Sequence, residues 1–415
     1  MATRLITHIK QLVNTREDNR LLRGSELAVL PVIRDAYLLI EDGIIAAYGE
    51  MKNIPEELLL IGDTIDASGQ LVLPCWCDSH THLVFAASRE EELVDKIKGL
   101  SYAEIAARGG GILNSVKKLQ AASTAELLRM AMGRLNEVIQ AGTGAIEIKS
   151  GYGLTVESEL KMLRVIKKLK EISPIPVKAT FLGAHTYPPE YKDDHQGYID
   201  LIIKQMLPVI AEEGLADYID VFCETGFFSP EETETICRAG MQYGLKPKLH
   251  ANQLNLSGGV QTGVKLGAVS VDHLETMDEE TIRLLAGSGT IGTLLPTAAF
   301  FLRMPFQPAR QIIDSGCAVA LATDFNPGSS PSGNMNLVIA MACIQMRMLP
   351  EEAINAATLN GAYAMELEQE LGSITMGKKA NLIITRPVPS LAFLPYYFGV
   401  SSIDKVLLNG ETYAI

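Results

Sequence analysis

Two histidines one residue apart, His80 and His82 of "DSHTH", close an apolar run in a chain that has only seven histidines. In an extended strand such residues share a face and lie about 6.5–7 Å apart along the chain, so both imidazoles can reach one metal ion. His250 in "KLHAN" and Asp324 in "ATDFNP" end two further apolar stretches in the same way. Three imidazoles and a carboxylate suit a first-row divalent ion and leave room for a water. A bound metal lowers the pKa of that water from about 15.7 to about 7, which gives a hydroxide nucleophile at neutral pH. His185, Glu224, Asp272 and His273 stand at comparable places, so five of the seven histidines end apolar runs. One histidine there reads as a core residue bonded to a carbonyl; five together read as one shared site. His8, in the first β-segment, and His195, in the polar run "KDDHQ", keep the plain structural reading. His273 and His185 remain as groups around the metal or substrate, and Asp324 can also accept the water's proton.

Residues so far apart in sequence need a frame that brings strand ends together. Eight apolar segments read as strands, over 71–82, 142–149, 177–186, 218–224, 246–252, 268–275, 289–296 and 318–327. Helical patterns lie between most of them, as in "SELKMLRVIKKLKEI" with its 3.6-residue apolar spacing. Eight such alternations predict a (β/α)8 TIM-type barrel, with an open doubly wound sheet as the runner-up, and function at the C-terminal strand ends. Residues 1–70 and 372–415 read instead as β-hairpins, one marked by "EDG" and the other by Asn409–Gly410. Neither end could cover its own apolar face, so the two predict one small β-sandwich domain beside a barrel domain of 71–371.

Composition excludes several classes. With 47% apolar and 20% charged residues, the 415-residue chain can bury a large core. Its net charge of −13 argues against nucleic acid or an anionic membrane as partner and leaves a small molecule. The first thirty residues hold no signal-peptide apolar core, and the longest apolar stretches fall short of a membrane span. Six cysteines without a CxxC pair suit reduced thiols, so a cytoplasmic protein is expected. Strand parity turns Cys75 and Cys77 away from the face of His80 and His82. The Gly109–Gly111 run lacks the context of a phosphate-binding loop and reads as a flexible loop at the active site.

The ordered set "DSHTH", "HANQL", "SVDHLE" and "ATDFNPGSSP" resembles the amidohydrolase superfamily, metal-dependent hydrolases built on a (β/α)8 barrel. Further stretches, "THLVFAASREEE", "KSGYGL", "FLGAHTYPPEY" and "DFNPGSSPSGNM", are similar to one branch of it that opens the ring of 4-imidazolone-5-propanoate to N-formimidoyl-L-glutamate in histidine degradation. The resemblance implies one zinc or iron ion on His80, His82, His250 and Asp324. It implies substrate contacts from Arg89, Tyr152, His185, Gln253, Asn326, Gly328 and Ser329, with backbone N–H groups of the Pro-Gly-Ser turn open to an anion. The metal-bound water would attack the ring carbonyl, with His273 stabilising the oxyanion and Asp324 or His273 passing the proton. A homodimer is also implied. Gln253 stands where some relatives carry Glu, so base work is assigned elsewhere. Many binuclear relatives use a carboxylated lysine on the fourth strand; this chain has Glu224 there and Lys149 on the second, which favours a single metal. Two other readings compete: a mononuclear aminohydrolase (deaminase) acting on a nucleobase or related heterocycle, and a noncatalytic scaffold.

Overall fold

The computed structural model describes residues 3–100, 104 and 110–414. The chain begins with strands β1 (Thr3–Val13), β2 (Val32–Glu41), β3 (Ile44–Glu50), β4 (Thr64–Asp66) and β5 (Leu71–Pro74). Eight strands follow, β6 (Trp76–Asp78), β7 (Thr143–Lys149), β8 (Val177–Ala184), β9 (Tyr218–Cys223), β10 (Lys246–Ala251), β11 (Ser270–His273), β12 (Ile291–Leu294) and β13 (Val319–Leu321). The chain returns as β14 (Leu382–Thr385), β15 (Ile403–Leu408) and β16 (Glu411–Thr412).

β6 to β13 pair in sequence order, each parallel to the next, as right-handed β/α units require. The ring closes just beyond the ends of β6 and β13. There Asp324 N–H donates to His80 O and His82 N–H to Phe325 O, each at 2.9 Å. The buried Asp78 carboxylate adds a side-chain staple, accepting Thr323 N–H at 3.0 Å and the Thr323 hydroxyl at 2.7 Å. This is the TIM-type barrel expected from the eight alternations.

Helices cover the barrel where the pattern predicts them. After α1 (Glu90–Ile97) and α2 (Ile112–Ala121), α3 (Thr124–Gln140) starts at a Ser123–Glu126 capping box and turns Leu127, Ala131, Leu135 and Val138 inward. The segment predicted at 158–172 is α4 (Val156–Ile172), capped by the Thr155 hydroxyl.

Both ends of the chain join in one mixed sheet, ordered β16-β15-β14-β5-β1-β2-β3 with β4 on β1. Alternate residues such as Ile6, Leu38, Val72, Leu382 and Leu407 build its aliphatic core, all at 2% exposure or less. One reading needs correction: 71–82 is not a single strand. Cys75 N–H still donates to Asn381 O, toward the terminal sheet, whereas Trp76 N–H donates to Gly142 O in the barrel, so the two sheets part between these residues. His80 and His82 therefore lie past β6, on extended backbone held by the Phe325 bridge.

Candidate active site

The five strand-end histidines meet at the C-terminal mouth. His80 is fully buried on its floor, with ring centres of His250, His82 and His273 at 4.5, 5.4 and 5.7 Å. His82 Nε2 lies 3.4 Å from His250 Nε2, and Asp324 Oδ1 lies 3.5 Å from Nε2 of both His80 and His82. The backbone bends to reach this arrangement: His273 (φ 90°), Asp324 (φ 53°) and Asn252 (φ 54°) all sit in the left-handed region, a strain typical of functional sites.

The donor set fits a metal ion. The ligand atoms of His80, His82 and His250 lie within 4.8 Å of one another, as do those of His80, His273 and Asp324. Among the described residues His80 Nε2 and His82 Nδ1 are buried without a hydrogen-bond partner. Burial pushes the imidazolium forms of His80, His82 and His250 well down, which keeps these rings neutral, the form that ligates metals. Burial also raises the Asp324 carboxyl to about 6. Asp324 is fixed from the side by the Ser329 hydroxyl, 3.2 Å from Oδ2.

His273 differs from the other three. Burial disfavours its charge, but Glu275, Asp324 and Asp272 outweigh that and raise its pKa. Its Nδ1 lies 3.4 Å from Glu275 Oε1, which leaves Nε2 for the mouth.

A cavity of about 520 Å³ rises from this floor, lined by Arg89, Tyr152, His185, Gln253, Asn326, Gly328 and Ser329 together with Lys96, Phe222 and Leu302. Every residue predicted to touch substrate is therefore on its wall. His185 Nδ1 lies 3.1 Å from Gly151 O, and burial lowers the pKa of the ring to about 4. Arg89 is held by Glu92 at 2.5 Å, and its buried Nε has no partner among the described residues. Glu92 also accepts Gly111 N–H at 2.9 Å, which ties α1 to the start of α2. Gly109, in the predicted active-site loop, lies outside the described residues.

Three expectations change. The N–H groups of Gly328 and Ser329 do not face the cavity free, because Asn326 Oδ1 accepts both at 2.8 Å. Glu224 leaves the cluster and instead accepts Leu254 N–H at 2.8 Å, bracing the loop after β10. Asp272 goes beneath the site, its Oδ2 at 2.7 Å from His80 Nδ1. Cys75 and Cys77 are buried, and burial raises the Cys77 thiol to about 12, so neither offers a thiolate. His8 and His195 lie at the surface, as their plain reading required.

Sequence reading missed a charged layer below the histidines. Glu147, Lys149, Asp220, Lys248 and Asp272 are all 1% exposed or less. A period-two signal was present in Glu147-x-Lys149, Lys248-x-His250 and Ser270-x-Asp272, which puts each pair on one face of its strand.

Fold and site together define a hydrolase of the amidohydrolase class with a candidate metal centre at its mouth. The family model described as "Amidohydrolase family" matches residues 71–413, and the chain belongs to that family. Within it the chain belongs with the imidazolonepropionases: it is 58% identical to the imidazolonepropionase of Christiangramia forsetii over 99% of both chains. It is also 58% identical to that of Flavobacterium johnsoniae over 98% of this chain and 99% of the other. Among solved structures E. coli guanine deaminase superposes over 100% of this chain and 99% of its own, with a TM-score of 0.71 at 16% identity, a likeness of fold alone.

Proposed function

We propose that this site opens the ring of 4-imidazolone-5-propanoate by hydrolysis to N-formimidoyl-L-glutamate, as expected of an imidazolonepropionase. The observation that carries the reading is one cavity with a His–His–His–Asp cluster at its floor and the guanidinium of Arg89 on its wall. A five-membered ring bearing an aliphatic carboxylate needs both. A nucleobase has no such carboxylate for Arg89 to pair with, so the aminohydrolase reading is not favoured. A scaffold would have no use for four converging donors.

His80, His82, His250 and Asp324 would hold one zinc or iron ion, both of which suit imidazole and carboxylate donors. The ion supplies Lewis acidity and an activated water at neutral pH. Lys149 is engaged by Glu147 at 2.6 Å and Asp220 at 2.9 Å, which supports a single-metal site without a carboxylated lysine.

The chain's own groups supply the rest. Arg89 takes the propionate through a charge-assisted bond from its guanidinium. Tyr152, His185 and Gln253 bound the ring. Asn326 and Ser329 act by fixing the turn and Asp324, and Gly328 makes room for Arg89. Asp324, 3.5 Å from Nε2 of both His80 and His82, stands where it can accept the water's proton. His273, with its raised pKa, can donate to the developing oxyanion or to the departing ring nitrogen. Among the described residues all six cysteines are free, which supports action in a reducing compartment.

The test follows the ultraviolet absorbance of 4-imidazolone-5-propanoate with purified protein. Loss of the chromophore that stops on chelation and returns with zinc or iron is the expected result. No turnover by metal-loaded protein would reject the substrate.

A further inference from the structure

We propose that Lys149 is a positioning residue that yokes two of the candidate metal ligands through two aspartates, an inference that rests on the metal-centre reading above. Its ammonium, fully buried, lies 2.9 Å from Asp220 Oδ2 and 3.6 Å from Asp272 Oδ2. Each of those oxygens also holds one ligand ring: Asp220 Oδ2 is 3.0 Å from His250 Nδ1, and Asp272 Oδ2 is 2.7 Å from His80 Nδ1. One cation therefore sits between two anions, and each anion orients one imidazole.

The outer oxygens are fixed too. Asp220 Oδ1 accepts the backbone N–H of His250 at 3.0 Å, and Asp272 Oδ1 accepts the Ser270 hydroxyl at 2.6 Å. Glu147 anchors Lys149 from behind at 2.6 Å and is shared with Lys248. Register explains the convergence: β10 sets Lys248 beside Asp220 of β9 and Ser270 of β11, and His250 beside Asp272.

The function of the yoke follows from the two ring nitrogens. A carboxylate at Nδ1 fixes the Nδ1–H tautomer and leaves the Nε2 lone pair for the ion. Two buried carboxylates that approach the same point repel each other, and only a cation between them holds both against their histidines. Without it the aspartates separate, and at least one imidazole loses the partner that fixes its tautomer. Lys149 thereby acts on the metal without touching it.

The experiment compares Lys149→Met, and Lys149→Met combined with Glu147→Gln, against the wild-type protein. The double variant removes one positive and one negative charge, so the buried layer keeps its net charge, and it carries the test if the single variant fails to fold. Three quantities are read: metal affinity by competition with a chromophoric chelator, thermal unfolding of the metal-free protein, and the tautomers of His80 and His250 by nitrogen NMR. The double variant should melt nearer the wild type than the single variant does, yet bind zinc about 10–100-fold more weakly. Its two histidines should lose the uniform Nδ1–H signature. A folded double variant with wild-type zinc affinity and tautomers overturns the proposal. Wild-type protein that takes up no ion would count against the metal reading instead, and the tautomer spectra of the metal-free proteins would still decide the role of Lys149.

Discussion

The molecule contains two β-built cores made in opposite ways. In the terminal sheet the interior is aliphatic, with Ile6, Ile9, Leu12, Leu38, Ile40 and Ile384 interleaved from strands at both ends of the chain. Inside the barrel, at the mouth end, the same strand geometry buries Glu147, Lys149, Asp220, Lys248 and Asp272 below the histidine cluster. Apolar burial stabilises by about 25 cal/mol per Å² and requires no partners. Buried ions require good geometry merely to offset their desolvation, and are weak contributors to stability. The terminal core therefore stabilises its own sheet, as the larger apolar shell between strands and helices stabilises the barrel, and the charged layer holds directions in space.

The largest effect expected from that contrast is on activity. His250→Ala removes a candidate ligand and leaves Asp220 without its Nδ1 partner. We expect kcat/KM for ring opening to fall by roughly 10³-fold or more, because several kcal/mol of metal-derived stabilisation disappear. Metal content measured on the same sample should fall with it. A variant that keeps both would break the assignment of the barrel layer to function.

The opposite pattern is expected of Leu38→Ala in the terminal sheet. Leu38 is fully buried and pairs with Ile6 across β1 and β2. A leucine-to-alanine cavity in such a core costs about 2–5 kcal/mol. Thermal or urea unfolding should read that loss, while kcat/KM well below the transition stays within about twofold. A parallel fall in kcat/KM would show that the two cores are not separable.

These two cores also differ in how readily the sequence discloses them. Short apolar runs parted by turn signals such as "EDG" suffice for the terminal strands, although β5, β14 and much of β2 are buried on both faces. Histidines at strand ends likewise disclose the mouth, because a barrel gathers such ends whatever the loop lengths. The charged layer was hidden by a general expectation that strand interiors are apolar. Its partners come from different strands, so only the register of β9, β10 and β11 brings Asp220, Lys248 and Asp272 into one layer. The parting of β5 and β6 at Cys75 was hidden for a different reason: both halves are buried, and no change in composition marks where one sheet is exchanged for the other. The Pro327–Gly328–Ser329 turn was misjudged because Asn326 folds back on its own loop and fills the donors that spacing alone leaves open.

Asp324 sharpens the contrast, since function and stability pull on it in opposite directions. Its carboxyl is raised from 3.8 to about 6, chiefly by burial. Between those values the folded metal-free protein binds more protons than the unfolded chain, so stability falls as pH rises through the window and stays reduced above about 6. Asp324→Asn escapes that penalty. At pH 7 the metal-free variant should gain up to about 3 kcal/mol, the equivalent of the two-unit shift. The gain should shrink toward nothing as the pH approaches 4. Melting curves of metal-free wild type and variant at pH 7 and pH 5 read the difference directly, and zinc titration should show that the more stable protein has lost its affinity. Equal melting at every pH would mean that burial of this carboxylate costs nothing.

The smallest effect concerns Gly328, and it separates space from conformation as the reason for a glycine. Its φ is not in the left-handed region, so alanine meets no backbone penalty there. An added Cβ would instead lie 2.2 Å from Arg89 Nη1, a distance no real contact shows, so the guanidinium must move. Arg89 is not free to move far without leaving Glu92, which holds it at 2.5 Å. Gly328→Ala should therefore act on substrate binding alone. We expect a rise in KM of about fivefold, equivalent to roughly 1 kcal/mol from one imperfect charged hydrogen bond. Metal content, kcat and melting temperature should stay near the wild type, because Asp324 and its Ser329 contact are untouched. A variant with unchanged KM would mean that the Arg89 pose against Glu92 and Gly328 is not the one that receives the carboxylate. A variant that loses metal would instead mean that the turn and the cluster move as one body.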